Sequence, residues 1–83
     1  MKPPSALECY KRAARCLAMA AAETDAASRA ALQGAARYWH KEGEAATGRT
    51  LGAMPRTADR AAFRALRASV QARFAKLGLD PKS

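Results

Sequence analysis

The sequence predicts an all-α protein, a small helical bundle, and its composition and its apolar patterning carry that prediction. Alanine occupies 23 of the 83 positions, whereas Ile is absent and Val occurs once. Alanine is the strongest helix former, and β-branched residues are the ones that favour strands. Apolar residues also recur every three or four positions in three segments, which is the period of a helix face. A chain of this length predicts a single small domain, residues 1–83.

The first helix is predicted over residues 5–23. Ser5 suits the N-cap, and Glu8 follows three positions later, which is the arrangement of a capping box. The large residues of the apolar stripe are Leu7, Tyr10 and Leu17. Basic residues on the other side of the helix are expected to face water.

A second helix is predicted over residues 25–46, with Thr24 or Asp25 as its N-cap. Leu32 and Trp39 are the large residues of its apolar stripe. Because the connection to the first helix is only a few residues long, we expect an antiparallel αα-hairpin. Alanine and glycine on both facing stripes allow the two helices to approach closely.

Residues 47–56 are expected to form a linker, because Gly48, Gly52 and Pro55 all disfavour helix. A third helix is predicted over residues 57–78, with Thr57 as its N-cap and a left-handed Gly78 at its end. Its apolar seam is Phe63, Leu66, Val70, Phe74 and Leu77. The pattern leaves open whether this seam packs on the hairpin of its own chain or on a partner.

Charge is concentrated in the second half of the chain. The net charge is +8, and residues 47–83 carry eight basic and two acidic groups, a net of +6. A row of arginines beside the apolar seam forms a predicted basic patch: Arg56, Arg60, Arg64 and Arg67. Such a patch suits phosphate groups, so non-specific nucleic-acid binding is one hypothesis. An anionic membrane surface is disfavoured, because the opposite face of the helix is rich in Ala.

Catalytic and metal chemistry find little support in the residues. The only histidine, His40, is expected on the surface beside Trp39 and away from Cys9, so a nucleophilic Cys–His pair is disfavoured. His40 and Glu44 lie four positions apart, but two ligands do not make a structural zinc site. We therefore predict no catalytic residue, no cofactor, no metal and no small-molecule substrate.

The two cysteines are expected to be reduced. Cys9 and Cys16 lie seven positions apart on one predicted helix, so their Cα atoms are separated by ~10 Å, too far for a disulfide. A disulfide between two copies is the less favoured alternative. The basic segment 11–15 followed by residues 16–20 imitates a signal peptide only faintly, and we expect a cytoplasmic protein.

Residues 5–46 resemble a set of short, uncharacterised proteins from α-proteobacteria, especially rhizobial relatives. Those proteins carry a helix with a central cysteine, a turn with an aspartate and a second helix with arginine, leucine, alanine and tryptophan. The matching positions here are Cys16, Asp25, Arg29, Leu32, the Ala35–Ala36 pair and Trp39. This sequence departs from that pattern at Glu42 and Gly43. The resemblance implies a helical hairpin and carries no activity.

The function predicted from the sequence is association without catalysis. Alanine contributes little buried area, and small domains bury only ~60% of their chain surface, so this chain gains stability by binding. The expected partners are a second copy of the chain or a larger protein. Nucleic acid is the alternative partner, through the basic third helix.

Overall fold

A computed structural model describes residues 3–79 and confirms the all-α class and the small helical bundle. The helices are α1 (Ala6–Ala22), α2 (Ala26–Gly52) and α3 (Thr57–Lys76), and residues 3–79 contain no strand. The predicted limits of the domain, positions 1 and 83, lie outside the described residues.

Two predicted N-caps are present at the starts of α1 and α2. The Ser5 hydroxyl accepts a hydrogen bond from the Glu8 N–H at 3.2 Å, and the Asp25 carboxylate accepts one from the Ser28 N–H at 2.8 Å. At the open end of the hairpin, directly after Ser5, the Ala6 N–H donates to the Thr50 hydroxyl at 2.8 Å. This bond joins the start of α1 to the end of α2, so the two helices are antiparallel.

The linker predicted over residues 47–56 is wrong for its first six residues, because α2 continues through Gly52. Ala46 and Thr50 are buried against the bundle, and an exposed glycine such as Gly48 costs a helix only about 1 kcal/mol. Tertiary packing outweighs that cost. The connection to α3 is therefore short and consists of residues 53–56.

Both ends of α3 differ slightly from the helix predicted over residues 57–78, because the helix ends at Lys76 and its N-cap is another residue. The N-cap is Arg56 rather than Thr57, and it makes no side-chain capping bond. At the C-terminus, Gly78 has a φ of 70°, as predicted. The Leu79 N–H donates to the Phe74 carbonyl and the Gly78 N–H to the Ala75 carbonyl, which is a Schellman motif.

Helix α3 packs on the hairpin of its own chain. Its residues Phe63, Val70 and Phe74 are at most 1% exposed. Phe63 meets the ring of Tyr10 near the start of α1, with the ring centroids 5.7 Å apart. Because its C-terminal turn lies beside the second half of α1, α3 runs in the same direction as α1. Phe63, Val70 and Phe74 of the α3 seam thus belong to the core.

Candidate functional site

A cluster of polar side chains joins all three helices. Tyr10 of α1 donates its hydroxyl to Glu44 of α2 in a short hydrogen bond. Arg67 of α3 donates to both carboxylate oxygens of Glu44 at 2.8 Å, and its Nε also lies 3.2 Å from the Tyr10 hydroxyl oxygen. Gln71 adds a fourth contact to the same carboxylate at 3.3 Å. The cluster therefore ties α1, α2 and α3 together at one level of the bundle.

The electrostatics of this cluster hold each of its titratable groups in one protonation state near neutral pH. The hydrogen bonds from Arg67 lower the pKa of Glu44 to about 2, and they also raise the pKa of the guanidinium. Burial and the bond to Glu44 raise the pKa of Tyr10 to about 12. A general base or nucleophile works best with a pKa near the working pH. These groups hold their charges firmly and suit a structural clasp.

His40 is buried, and its predicted place on the surface is wrong. Its exposed fraction is 2%, and its ring lies edge-on to those of Tyr10 and Phe74, with both centroid distances at 5.5 Å. Its Nε2 lies 3.7 Å from the Glu44 carboxylate. The inward face of α2 therefore includes His40 and Gly43.

Cys9 is buried and Cys16 is half-buried, and the described residues contain no metal cluster. Burial, followed by the charge of Glu42, raises the pKa of the Cys9 thiol, whereas reactive cysteines have a lowered pKa. Both thiols are free. Within residues 3–79, no group of three or more His, Cys, Asp or Glu side chains is placed to hold a metal ion. Glu44, which the sequence pairs with His40, is occupied by Tyr10 and Arg67.

Most residues of the predicted packing set lie in or against the core. The buried members are Tyr10, Leu17, Phe63, Val70 and Phe74, and the half-buried ones are Leu7, Leu32, Trp39 and Leu66. Leu77 is the exception, because its exposed fraction is 48%. Leu77 is therefore not packed within the chain, and its predicted role in interaction with a partner stays a prediction.

The predicted basic patch does not act as one row. Arg67 is neutralised by its bidentate ion pair with Glu44. The Arg60 Nε donates to the Met54 carbonyl at 2.7 Å and so secures the loop before α3. Arg56, Arg60 and Arg64 are exposed. Three of the four predicted cations thus remain open to solvent.

A second group of large residues, most of it missed by the sequence, lies on the α1–α2 hairpin. We call it the aromatic surface, and it consists of Arg12, Met19, Tyr38 and Trp39. The Arg12 guanidinium carbon lies 4.5 Å from the centre of the Trp39 ring, and Tyr38 meets Trp39 edge-on at 5.0 Å. Met19 follows Arg12 by two turns of α1 and lies on the same face. A signal was present, because Met19 and Tyr38 are large apolar residues outside the predicted stripes.

The aromatic surface is open to solvent. Met19 is 52% exposed and Tyr38 is 55% exposed, and no element within residues 3–79 covers them. Within the same range, none of the helices has the length and apolar character needed to cross a bilayer.

Comparisons of the chain with protein-family models, with curated proteins and with solved structures find no match. The resemblance of residues 5–46 to the rhizobial proteins therefore stays a prediction.

Proposed function

We propose that this chain is a small, non-catalytic helical protein that acts by associating with another protein, as an accessory subunit or as a homo-oligomer. The observation that carries the proposal is the aromatic surface. Tyrosine, tryptophan, arginine and methionine are the residue types enriched at protein interfaces, and Trp, Tyr and Arg dominate binding energy there. Here Arg12 and Tyr38 both contact Trp39, and Met19 lies on the same face of α1 as Arg12, with Met19 and Tyr38 more than half exposed.

The order of the aromatic surface adds to this support. The Arg12 guanidinium packs over the face of the Trp39 ring, and the Tyr38 ring contacts Trp39 edge-on, so these side chains are ordered in the free protein. A surface that is ordered in the free protein loses less conformational entropy on binding. The polar cluster, by contrast, supports the absence of catalysis, since Tyr10 and Glu44 have pKa values near 12 and 2. The two free thiols suit the reducing cytoplasm that we propose as its compartment.

The proposal is tested with Tyr38→Ser and with Arg29→Ser as its control, an exposed position of the same helix outside the aromatic surface. Both residues are exposed, so neither change is expected to unfold the protein. Trp39 is the only tryptophan, so its fluorescence reports directly on the aromatic surface. Sedimentation velocity and Trp39 emission are measured from low to high micromolar concentration. The wild-type chain and the two variants are then used as baits in an extract of the producing organism, and the amounts of each captured protein are compared.

Two results support the proposal. A concentration-dependent dimer that Tyr38→Ser abolishes supports a homo-oligomer. A protein retained by the wild-type chain and by Arg29→Ser, but lost with Tyr38→Ser, supports an accessory subunit. A cooperative monomer at all concentrations, together with identical capture by all three baits, contradicts the proposal.

A second candidate function is non-specific nucleic-acid binding, and the exposure of Arg56, Arg60 and Arg64 favours it. It predicts duplex binding whose affinity falls steeply with salt. Each phosphate engaged adds about one unit to the slope of log affinity against log salt concentration. Changing the three arginines to Ala should then lower that slope by about two to three units. An unchanged slope removes this patch from consideration.

A further inference from the structure

An apolar groove with cationic edges lies between the C-terminal halves of α1 and α3. Its volume is about 370 Å³, and it is lined by Leu17, Ala18, Ala21, Arg73, Lys76 and Leu77. Leu77 is the exposed member of the predicted packing set. The groove is distinct from the aromatic surface, with which it shares no lining residue.

The groove results from the way α3 ends. The left-handed turn at Gly78 carries Leu79 back against the core, next to the end of the α3 seam. Leu79 therefore covers the core at this end, and Leu77 is left outside. The facing residues Ala18 and Ala21 have side chains too small to cover it. The result is an apolar depression that the chain itself does not fill.

The charge around the groove selects the kind of partner. Arg73 and Lys76 are exposed and lie three positions apart on α3, so they project from the same side of the helix. No acidic residue lines the groove. The only acidic residue between positions 47 and 79 is Asp59, which lies ~25 Å away at the other end of α3. A second copy of the chain brings a net charge of +8 and is disfavoured as the occupant.

We propose that this groove binds an acidic amphipathic helix of a partner protein. The groove spans about one turn of α1 and one turn of α3, which is room for one or two large apolar side chains on a helix. Carboxylates three or four positions apart on the same helix match the spacing of Arg73 and Lys76. Binding of a helix in a groove is a recurrent mode of peptide recognition. This deepens the proposed association function by naming a partner chemistry, and it uses a different surface.

The test uses a labelled synthetic helical peptide as the probe, with leucines on one face and glutamates beside them. One control peptide has the same composition with the leucines scrambled, and a second has lysine in place of glutamate. Binding to the full-length chain is followed by fluorescence anisotropy. The variants are Arg73→Glu and Leu77→Ser in the groove. Arg64→Glu is the matched charge control on the exposed side of α3, and Tyr38→Ser is the control for the aromatic surface.

We expect saturable binding of the acidic amphipathic peptide and much weaker binding of both control peptides. Arg73→Glu and Leu77→Ser should each weaken binding by about tenfold, whereas Arg64→Glu should change it by less than about threefold. Far-UV circular dichroism checks that each variant is folded. Tyr38→Ser should leave peptide binding unchanged, so failure here is distinguishable from failure of the aromatic surface.

Three results would overturn the proposal. Equal binding of the scrambled peptide would show that only net charge matters. Equal losses for Arg73→Glu and Arg64→Glu would show that the groove is not the site. A DNA duplex that carries the same charge as the peptide could compete with it. If Arg73→Glu and Arg64→Glu weakened the binding of that duplex equally, the cations of α3 would be assigned to nucleic acid.

Discussion

Replacing Gly43 by alanine measures how closely α1 and α2 approach each other. A Cβ atom at this position would lie 3.0 Å from Tyr10 Cε2 and 3.1 Å from Tyr10 Cζ. Carbon atoms in favourable contact are about 3.5–4.0 Å apart, so the ring would have to move by about half an ångström. The Tyr10 ring is fully buried, and its hydroxyl is bonded to Glu44 and Arg67, so it has little freedom to move.

The magnitude follows from two opposing effects. Alanine is favoured over glycine inside a helix by about 1 kcal/mol, whereas overpacking a well-filled core costs about 1–3 kcal/mol. Gly43→Ala should therefore lower the free energy of unfolding by up to about 2 kcal/mol. Gly34→Ala and Gly48→Ala are matched controls on α2, because a Cβ at either position meets no atom within 4 Å. Each control should raise stability by about 0.5–1 kcal/mol.

Thermal and urea denaturation, followed by circular dichroism, compare the three variants with the wild-type chain. In a domain of this size 1 kcal/mol corresponds to about 4–8 °C in Tm. Gly43→Ala should melt below the wild-type protein, and both controls should melt above it. The reasoning is refuted if Gly43→Ala stabilises the protein as much as its controls do.

Three further predictions concern the polar contacts between helices. The pKa of Glu44 is lowered from 4.5 to about 2, so its stabilisation is complete above pH 4.5 and is lost as the pH falls toward 2. Glu44→Gln should be less stable than the wild-type protein at neutral pH and should lose less stability between pH 4.5 and pH 2. Equal losses of unfolding free energy in the two proteins over this pH range would contradict the prediction. The pKa of Tyr10 is raised from 10.0 to about 12, so the protein should lose stability as the pH rises between these values. Tyr10→Phe should remove that loss and cost about 0.5–1.5 kcal/mol at neutral pH, as measured by urea denaturation across pH. Thr50→Val removes the acceptor of the Ala6 N–H and should cost about 1–3 kcal/mol, whereas Thr57→Val, at an exposed position, is a control expected to change little.

The fold could be predicted because its signals are local. The three- and four-residue spacing, the caps at Ser5 and Asp25, and the glycine at 78 each act within one turn of helix. The linker prediction failed for the opposite reason. Gly48 and Gly52 lower helix propensity by an amount that tertiary burial of Ala46 and Thr50 easily exceeds, and no local pattern reports that burial.

The polar cluster could not be predicted, because the residues that its hydrogen bonds join are 23 to 57 positions apart in the sequence. The error about His40 has a more specific cause. The predicted inward face of α2 includes Ala36 and Gly43, which are buried, but its apolar pattern excludes the polar His40, which is buried beside them. Small residues there leave space for the large Tyr10 ring of α1. A stripe of small residues opposite a large aromatic is the signal that marks this face.

The packing of α3 on its own hairpin changes how association should work. The sequence leaves open whether the third helix packs on its own hairpin or on a partner, and Phe63, Val70 and Phe74 are buried within the chain. A partner would therefore meet a folded surface, and binding would not have to supply the free energy of folding α3. Docking of preformed surfaces orders few side chains, so a few exposed residues dominate the affinity. Association should then change the circular dichroism of the protein very little, and a large gain in helix on binding would favour coupled folding instead.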